Sequence, residues 1–141
     1  MYVIDTNVVS EFRKDEAGRA HPRVAAWANS VRPNTMFLTV HTVFELETGV
    51  LLMERRDPIQ AGVVRGWLRD RVLVGFAGRI LPADQDVALQ CAALHVPKTR
   101  PERDAWIAAT ALVHGMTVVT RNVADFEPMG VAVLNPWEWQ I

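Results

Sequence analysis

Short β-branched runs recur along this chain, and all but the last two are separated by enough residues for one or two helices. That spacing constrains the fold more than any other feature. A tight turn can return a strand antiparallel, whereas strands separated by helices need crossovers and give a buried parallel sheet. Residues 2–4 read as a strand and 8–13 as a short helix capped by Thr6 or Asn7. A polar loop, 15–19, precedes a helix that starts at Pro22 and runs to about residue 29, and 36–40 is the second strand. Thr42 can cap the next helix, where Val43, Leu46, Val50 and Met53 follow helical periodicity. The segment Glu54-Arg55-Arg56-Asp57-Pro58 breaks it, and 59–73 reads as a further helix with Val63, Val64, Trp67 and Leu68 on its apolar side. Then come strand 80–81, helix 83–94, loop 97–101, alanine-rich helix 102–114 with Gly115 as C-cap, and strands 117–120 and 131–134. The order β-α-α-β-α-α-β-α-α-β-β predicts an α/β/α sandwich around a central, mostly parallel sheet of about five strands, in one domain over residues 1–141.

Half the residues are hydrophobic, enough for one core, and the formal net charge of −1 excludes a global basic field for nucleic acid or anionic membrane. The cationic side chains are nevertheless lopsided: Lys occurs only at Lys14 and Lys98, and the rest are Arg, the better bidentate phosphate ligand. A single cysteine, Cys91, excludes an internal disulfide, and its apolar surroundings in sequence predict a buried, inert thiol. The four histidines are scattered, with no zinc-ligand spacing. No basic-then-apolar leader pattern opens the chain and no apolar run reaches transmembrane length, so a cytoplasmic protein without membrane association is expected. The five tryptophans are read mainly as core or interface anchors, base stacking being the rarer use.

Four carboxylates occupy special places. Asp5 directly follows the first strand, Glu45 lies early in the helix after the second, Asp104 is in the first turn of the alanine-rich helix, and Asp125 lies just past Thr120. Strand C-termini and helix N-termini share one edge of a parallel α/β sheet, so these four are expected to converge. Converging carboxylates repel one another unless a cation neutralises them, and an all-oxygen donor set selects magnesium or manganese over zinc. Each has a plainer reading. Asp5 could cap the following helix, although Thr6 and Asn7 make a third capping residue redundant. Glu45 could complete a capping box with Thr42, but Gly49 one turn later gives clearance below its carboxylate. Asp104 could answer the helix dipole, and Asp125 could end a turn. Among the other acids, Glu11 is read as solvated, Glu47 as pointing away from Glu45, and Asp84 and Asp86 as opening the helix that follows them.

The runs Asp5-Thr6-Asn7-Val8-Val9-Ser10-Glu11, Glu45-Leu46-Glu47-Thr48-Gly49, Asp104-Ala105-Trp106-Ile107-Ala108-Ala109-Thr110-Ala111 and Thr120-Arg121-Asn122-Val123-Ala124-Asp125-Phe126 resemble those of PIN-domain toxins of the VapC type. Leu134-Asn135-Pro136-Trp137 resembles the FitB branch of that group. The resemblance extends over essentially the whole chain. Trp106 departs from it, standing where a smaller aliphatic residue is common, and residues 99–103 replace a glycine-containing approach to the third acid. It implies a PIN-domain fold and a magnesium-dependent ribonuclease, manganese being able to substitute, that forms the toxin half of a bacterial toxin–antitoxin pair. It also implies Asp5, Glu45, Asp104 and Asp125 as the acidic quartet, with Asp5 and Asp104 the foremost metal ligands. Thr6, Asn7, Thr120, Arg121 and Asn122 would support the quartet or orient substrate. The implied partners are RNA, a cognate antitoxin, a second copy of the chain, and promoter DNA only through the antitoxin. Two rival readings come from other classes. One is a subunit acting mainly in promoter binding, with little nuclease activity. The other is a phosphoacceptor receiver domain, which wants a lysine on the acidic rim; neither Lys14 nor Lys98 follows a strand there.

Overall fold

The computed structural model describes residues 1–141. Strand β1 (Tyr2–Ile4) lies at the centre of five strands, with β2 (Met36–Thr39), β3 (Ile80–Leu81), β4 (Thr117–Val119) and β5 (Val133–Leu134) arranged β3-β2-β1-β4-β5. Every neighbouring pair is parallel. Helices α1 (Thr6–Asp15) and α2 (Pro22–Ser30) follow β1, α3 (Val40–Glu54) and α4 (Pro58–Trp67) follow β2, and α5 (Gln85–Leu94) and α6 (Glu102–His114) follow β3.

Side chains of a strand alternate between faces, and this alternation divides the interior in two. Val3 and Val118 face one layer, where they meet Val87 and Cys91 of α5, Ile107 and Ala108 of α6, and Phe126. Ile4 and Val119 face the other, with Val8 and Val9 of α1, Val24 and Trp27 of α2, Val50 of α3 and Val64 of α4. The result is the expected α/β/α sandwich. Cys91 is buried as anticipated. Small residues Ala105, Ala108, Ala109 and Ala111 are fully buried on α6, which lets α5 approach it closely. Gly115 ends α6 in the left-handed region (φ 65°), and the amide of Met116 returns to the Ala111 carbonyl at 2.9 Å, closing the helix as a glycine C-cap does. No helix is long and apolar enough to cross a membrane.

Beyond shifts of one or two residues at element ends, the structure makes four corrections to the expected elements. The last two strands are not directly joined: a one-turn helix, α7 (Val123–Phe126), and a 3-10 turn (Glu127–Met129) lie between β4 and β5. This crossover is what allows β4 and β5 to pair in parallel, and a single turn is too short to carry a periodic signal. Residues 59–73 do not form one α-helix; α4 passes at Leu68 into a π-helical segment, Leu68–Leu73. The wider turn is held by the Val74 amide reaching Arg69 O at 3.2 Å, and Arg79 clamps its end by donating to the Gly75 carbonyl at 2.6 Å. A Cβ on Gly75 would collide with the Arg71 carbonyl oxygen, so the turn requires glycine there. The other two corrections concern helix starts. Asp5, not Thr6 or Asn7, is the N-cap of α1. Thr39, not Thr42, caps α3, accepting the Thr42 amide at 3.3 Å.

Candidate active site

The C-terminal ends of β1 and β4 lie side by side at the middle of the sheet, and the site is built around them. Asp5 leaves β1 in an extended conformation and is only 6% exposed. Its Oδ1 accepts the Thr6 amide at 2.8 Å, and its Oδ2 accepts the Thr120 hydroxyl at 2.8 Å and the Asn7 amide nitrogen at 3.4 Å. Thr120, completely buried beyond β4, also accepts the Asn122 amide at 3.0 Å. Asn7 Oδ1 in turn accepts the Arg121 amide at 3.3 Å. Thr6, Asn7, Thr120, Arg121 and Asn122 therefore form one hydrogen-bonded junction between the loops after β1 and β4. Thr6 extends it to α3, its hydroxyl lying 3.0 Å from that of Thr42. Sequence reasoning missed this role of Thr42, reading it only as a cap; the clue lay in the two hydroxyls, Thr39 and Thr42, at the end of β2.

The remaining carboxylates arrive from helix N-termini: Glu45 from the second turn of α3, Asp104 from the first turn of α6, and Asp125 from α7. Their mutual electrostatics reports the convergence. Burial raises the Asp104 pKa, and the charges of Asp5, Asp125 and Glu45 raise it further, to about 6. Burial lifts Asp5 above the usual aspartate range against the Thr120 and Thr6 hydrogen bonds, with Asp125 adding to the rise. Glu45 is lifted by burial and then by Asp5, while Arg103 and Thr6 oppose the shift. One cation answers this charge: Arg103 Nη1 stands 3.6 Å from Glu45 Oε2, and Asp5, Asp104 and Asp125 form no ion pair.

With Thr39 as the cap of α3, the capping-box role open to Glu45 disappears. Gly49 is not needed for packing clearance, because a Cβ there would meet no atom within 4 Å. Its bare surface instead helps line an open cavity of about 470 Å³ with Thr6, Glu45 and Arg103. Glu11 is not solvated: it is 8% exposed, accepts the His21 amide at 3.3 Å and pairs with Lys14 at 3.3 Å, tying α1 to the start of α2. Glu47 is occupied by Arg65 at 2.7 Å, joining α3 to α4. Asp84 caps α5 through the Val87 amide at 3.0 Å, and Asp86 lies in its first turn.

Chemically this is a rim of oxygen donors with excess negative charge. No group of three Asp, Glu, His or Cys side chains is gathered tightly enough to enclose an ion by itself. An open rim of this kind leaves room for a cation that keeps part of its water shell.

Comparison with known proteins identifies the family and the fold. The family model described as PIN domain matches residues 2–128. A VapC ribonuclease, Y4jK, of Sinorhizobium fredii is 38% identical, the alignment covering 98% of this chain and 99% of that protein. Toxin FitB of Neisseria gonorrhoeae is also 38% identical, over 97% and 99% of the two chains. Among solved structures, FitAcB from Neisseria gonorrhoeae superposes with a TM-score of 0.88 at 37% identity, covering 98% of this chain and 99% of that one. FitAB bound to a DNA fragment gives 0.89 at 36% identity, with 100% and 99% covered.

Proposed function

Because the chain belongs to the PIN-domain family, we propose that residues 1–141 act as one PIN domain with magnesium-dependent endoribonuclease activity, the toxin component of a type II toxin–antitoxin pair. The observation that carries this reading is the position of Asp104, whose pKa burial first, and then the charges of Asp5, Asp125 and Glu45, raise to about 6, while Arg103 is the one cation paired with these acids, at Glu45.

Asp5 and Asp104 would be the principal ligands of the ion, with Glu45 and Asp125 beside them, and manganese could replace magnesium. When bound, the ion supplies positive charge beside the scissile phosphodiester. Thr120, Thr6 and Asn7 hold the Asp5 carboxylate in one orientation by their hydrogen bonds. Glu45, whose proton affinity is raised, is suited to take a proton from the attacking water, with Asp125, which forms no ion pair, as the second carboxylate. Attack by that water on phosphorus breaks the bond to the 3′-oxygen, which takes up a proton, leaving a 5′-phosphate and a 3′-hydroxyl. Arg121 contacts a neighbouring phosphate, since a chain of net charge −1 must grip RNA through local arginines.

The test is incubation of end-labelled RNA with the purified protein in magnesium and in EDTA. Cleavage in magnesium alone, abolished by Asp104→Asn in a protein that retains its circular dichroism, supports the reading. Cleavage by Asp104→Asn at the wild-type rate would falsify it.

We propose the other members of the system as well. A cognate antitoxin covers the acidic rim, the toxin pairs with a second copy of itself, and both work in the cytoplasm. The solved FitAB complex with DNA favours a second reading, in which the chain serves chiefly in promoter binding through its antitoxin. Promoter binding by the complex, without RNA cleavage at saturating magnesium, distinguishes it.

A further inference from the structure

Beside the carboxylates lies an open cavity of about 650 Å³ that the chemistry above leaves unused. One wall is the start of α3, with His41 and Phe44; the other is the start of α6, with Glu102, Arg103, Asp104 and Trp106. The His41 and Trp106 rings are stacked, their centroids 5.2 Å apart and their planes 19° from parallel. Burial pushes the His41 pKa below the ordinary histidine value, against the opposing charge of Glu102. Phe44 is 59% exposed, and the Arg103 guanidinium lies 5.7 Å from its centroid.

We propose that this cavity is a nucleobase subsite, taking one unpaired base of the RNA strand next to the scissile phosphate. The proposal rests on the reading that RNA is the substrate. Continuity supports it first. Asp104 belongs both to the cavity and to the acidic rim, and Arg103 lines both this cavity and the one shared by Thr6 and Glu45. A strand with a phosphate at the rim therefore brings its neighbouring nucleoside to the cavity mouth. The lining chemistry supports it second. Aromatic faces and an arginine plane are the surfaces on which unpaired RNA bases stack. Glu102, outside the proposed ion's ligand set, repels a phosphate, so the cavity suits a base rather than backbone. Its volume lies within the range of about 300–1,000 Å³ usual for small-ligand sites. A base held in a duplex is not free to enter, so single strands and loops are the preferred substrates.

Binding is separated from cleavage by working in magnesium on an Asp5→Asn background. The probes are short fluorescein-labelled single-stranded oligoribonucleotides, the same strands annealed into duplex, and strands with abasic positions, read by fluorescence anisotropy. Base-bearing single strands should bind more tightly than abasic strands or duplex. Trp106→Ala and Phe44→Ala should each weaken binding of base-bearing strands on the order of tenfold and leave abasic strands unaffected. Trp106→Phe should restore most of the loss. Phe44 is exposed, so its replacement keeps the test valid where Trp106→Ala disturbs packing. Equal losses for base-bearing and abasic strands, unchanged binding of both, or a loss confined to antitoxin binding would each overturn the subsite. Failure of the wild-type protein to cut any RNA, with the base-dependent binding intact, would instead overturn the ribonuclease reading.

Discussion

Thr120 donates its hydroxyl to Asp5 across 2.8 Å, although 115 residues separate the two in the chain. The bond continues the parallel ladder that pairs Ile4 with Val119, and the Asp5 amide itself reaches Val119 O at 2.9 Å. A catalytic carboxylate candidate is thus fixed by the same pairing that closes the centre of the sheet. Thr120→Val should lower stability by about 1–2 kcal/mol, because a buried acceptor loses its donor. It should also raise the Asp5 pKa further. Urea unfolding and a carboxyl NMR titration measure the two effects, and an unchanged unfolding midpoint would show that the bond is replaced by water.

The raised pKa of Asp104 makes a signed prediction. In the folded chain it titrates near 6, against 3.8 for the ordinary group, so between these values the folded state holds more protons than the unfolded state. The stability contribution of this residue therefore falls as pH rises through about 4 to 6 and stays low above. Asp104→Asn should raise the melting temperature of the metal-free protein at pH 7.5, and that advantage should vanish as the pH approaches 4. Magnesium should raise the wild-type melting temperature at pH 7.5 relative to EDTA, and the substitution should remove the response. Melting curves that differ equally at both pH values would contradict this origin.

Arg121 sits beside the junction, its guanidinium 5.0 Å from the centre of the Trp137 ring. That contact holds the side chain near the rim while leaving it exposed. Arg121→Ala should weaken RNA binding and reduce the slope of log affinity against log salt by about 0.7, the contribution of one phosphate contact on a single strand. Titrations at several salt concentrations give the slope directly, and no change would remove Arg121 from the contact.

Glu11 provides a contrast, an acid close to Asp5 in sequence that serves structure. Its bonds to the His21 amide and Lys14 predict that Glu11→Ala costs about 0.5–1.5 kcal/mol in unfolding experiments, through loss of a partly buried hydrogen bond. RNA cleavage per folded molecule should stay at the wild-type level. A selective loss of activity would move Glu11 into the site.

The parallel sandwich was legible because apolar runs separated by helix-length segments admit few other folds. The acidic rim was legible for the same reason: Asp5, Glu45, Asp104 and Asp125 each sit where a strand ends or a helix begins. What could not be read was local competition between groups of similar chemistry. Asp5, Thr6 and Asn7 are all good caps, and only the β1–β4 pairing selects Asp5, by presenting its other oxygen to Thr120. Glu11 looked solvated because its partner, a backbone amide at His21, leaves no mark in a side-chain pattern.

The number and order of the strands, the long helices between the first four of them, and the placement of acids at element ends were determined by the sequence alone, since hydrophobic periodicity and chain connectivity are local properties; the one-turn α7 and the π-helical segment were not. Only the tertiary structure decided which of those acids share a field, that Arg103 is the cation facing them, and that His41, Phe44 and Trp106 open a cavity alongside. Charge coupling and cavity shape depend on distances between residues far apart in the chain, and those distances exist only once the sheet has closed.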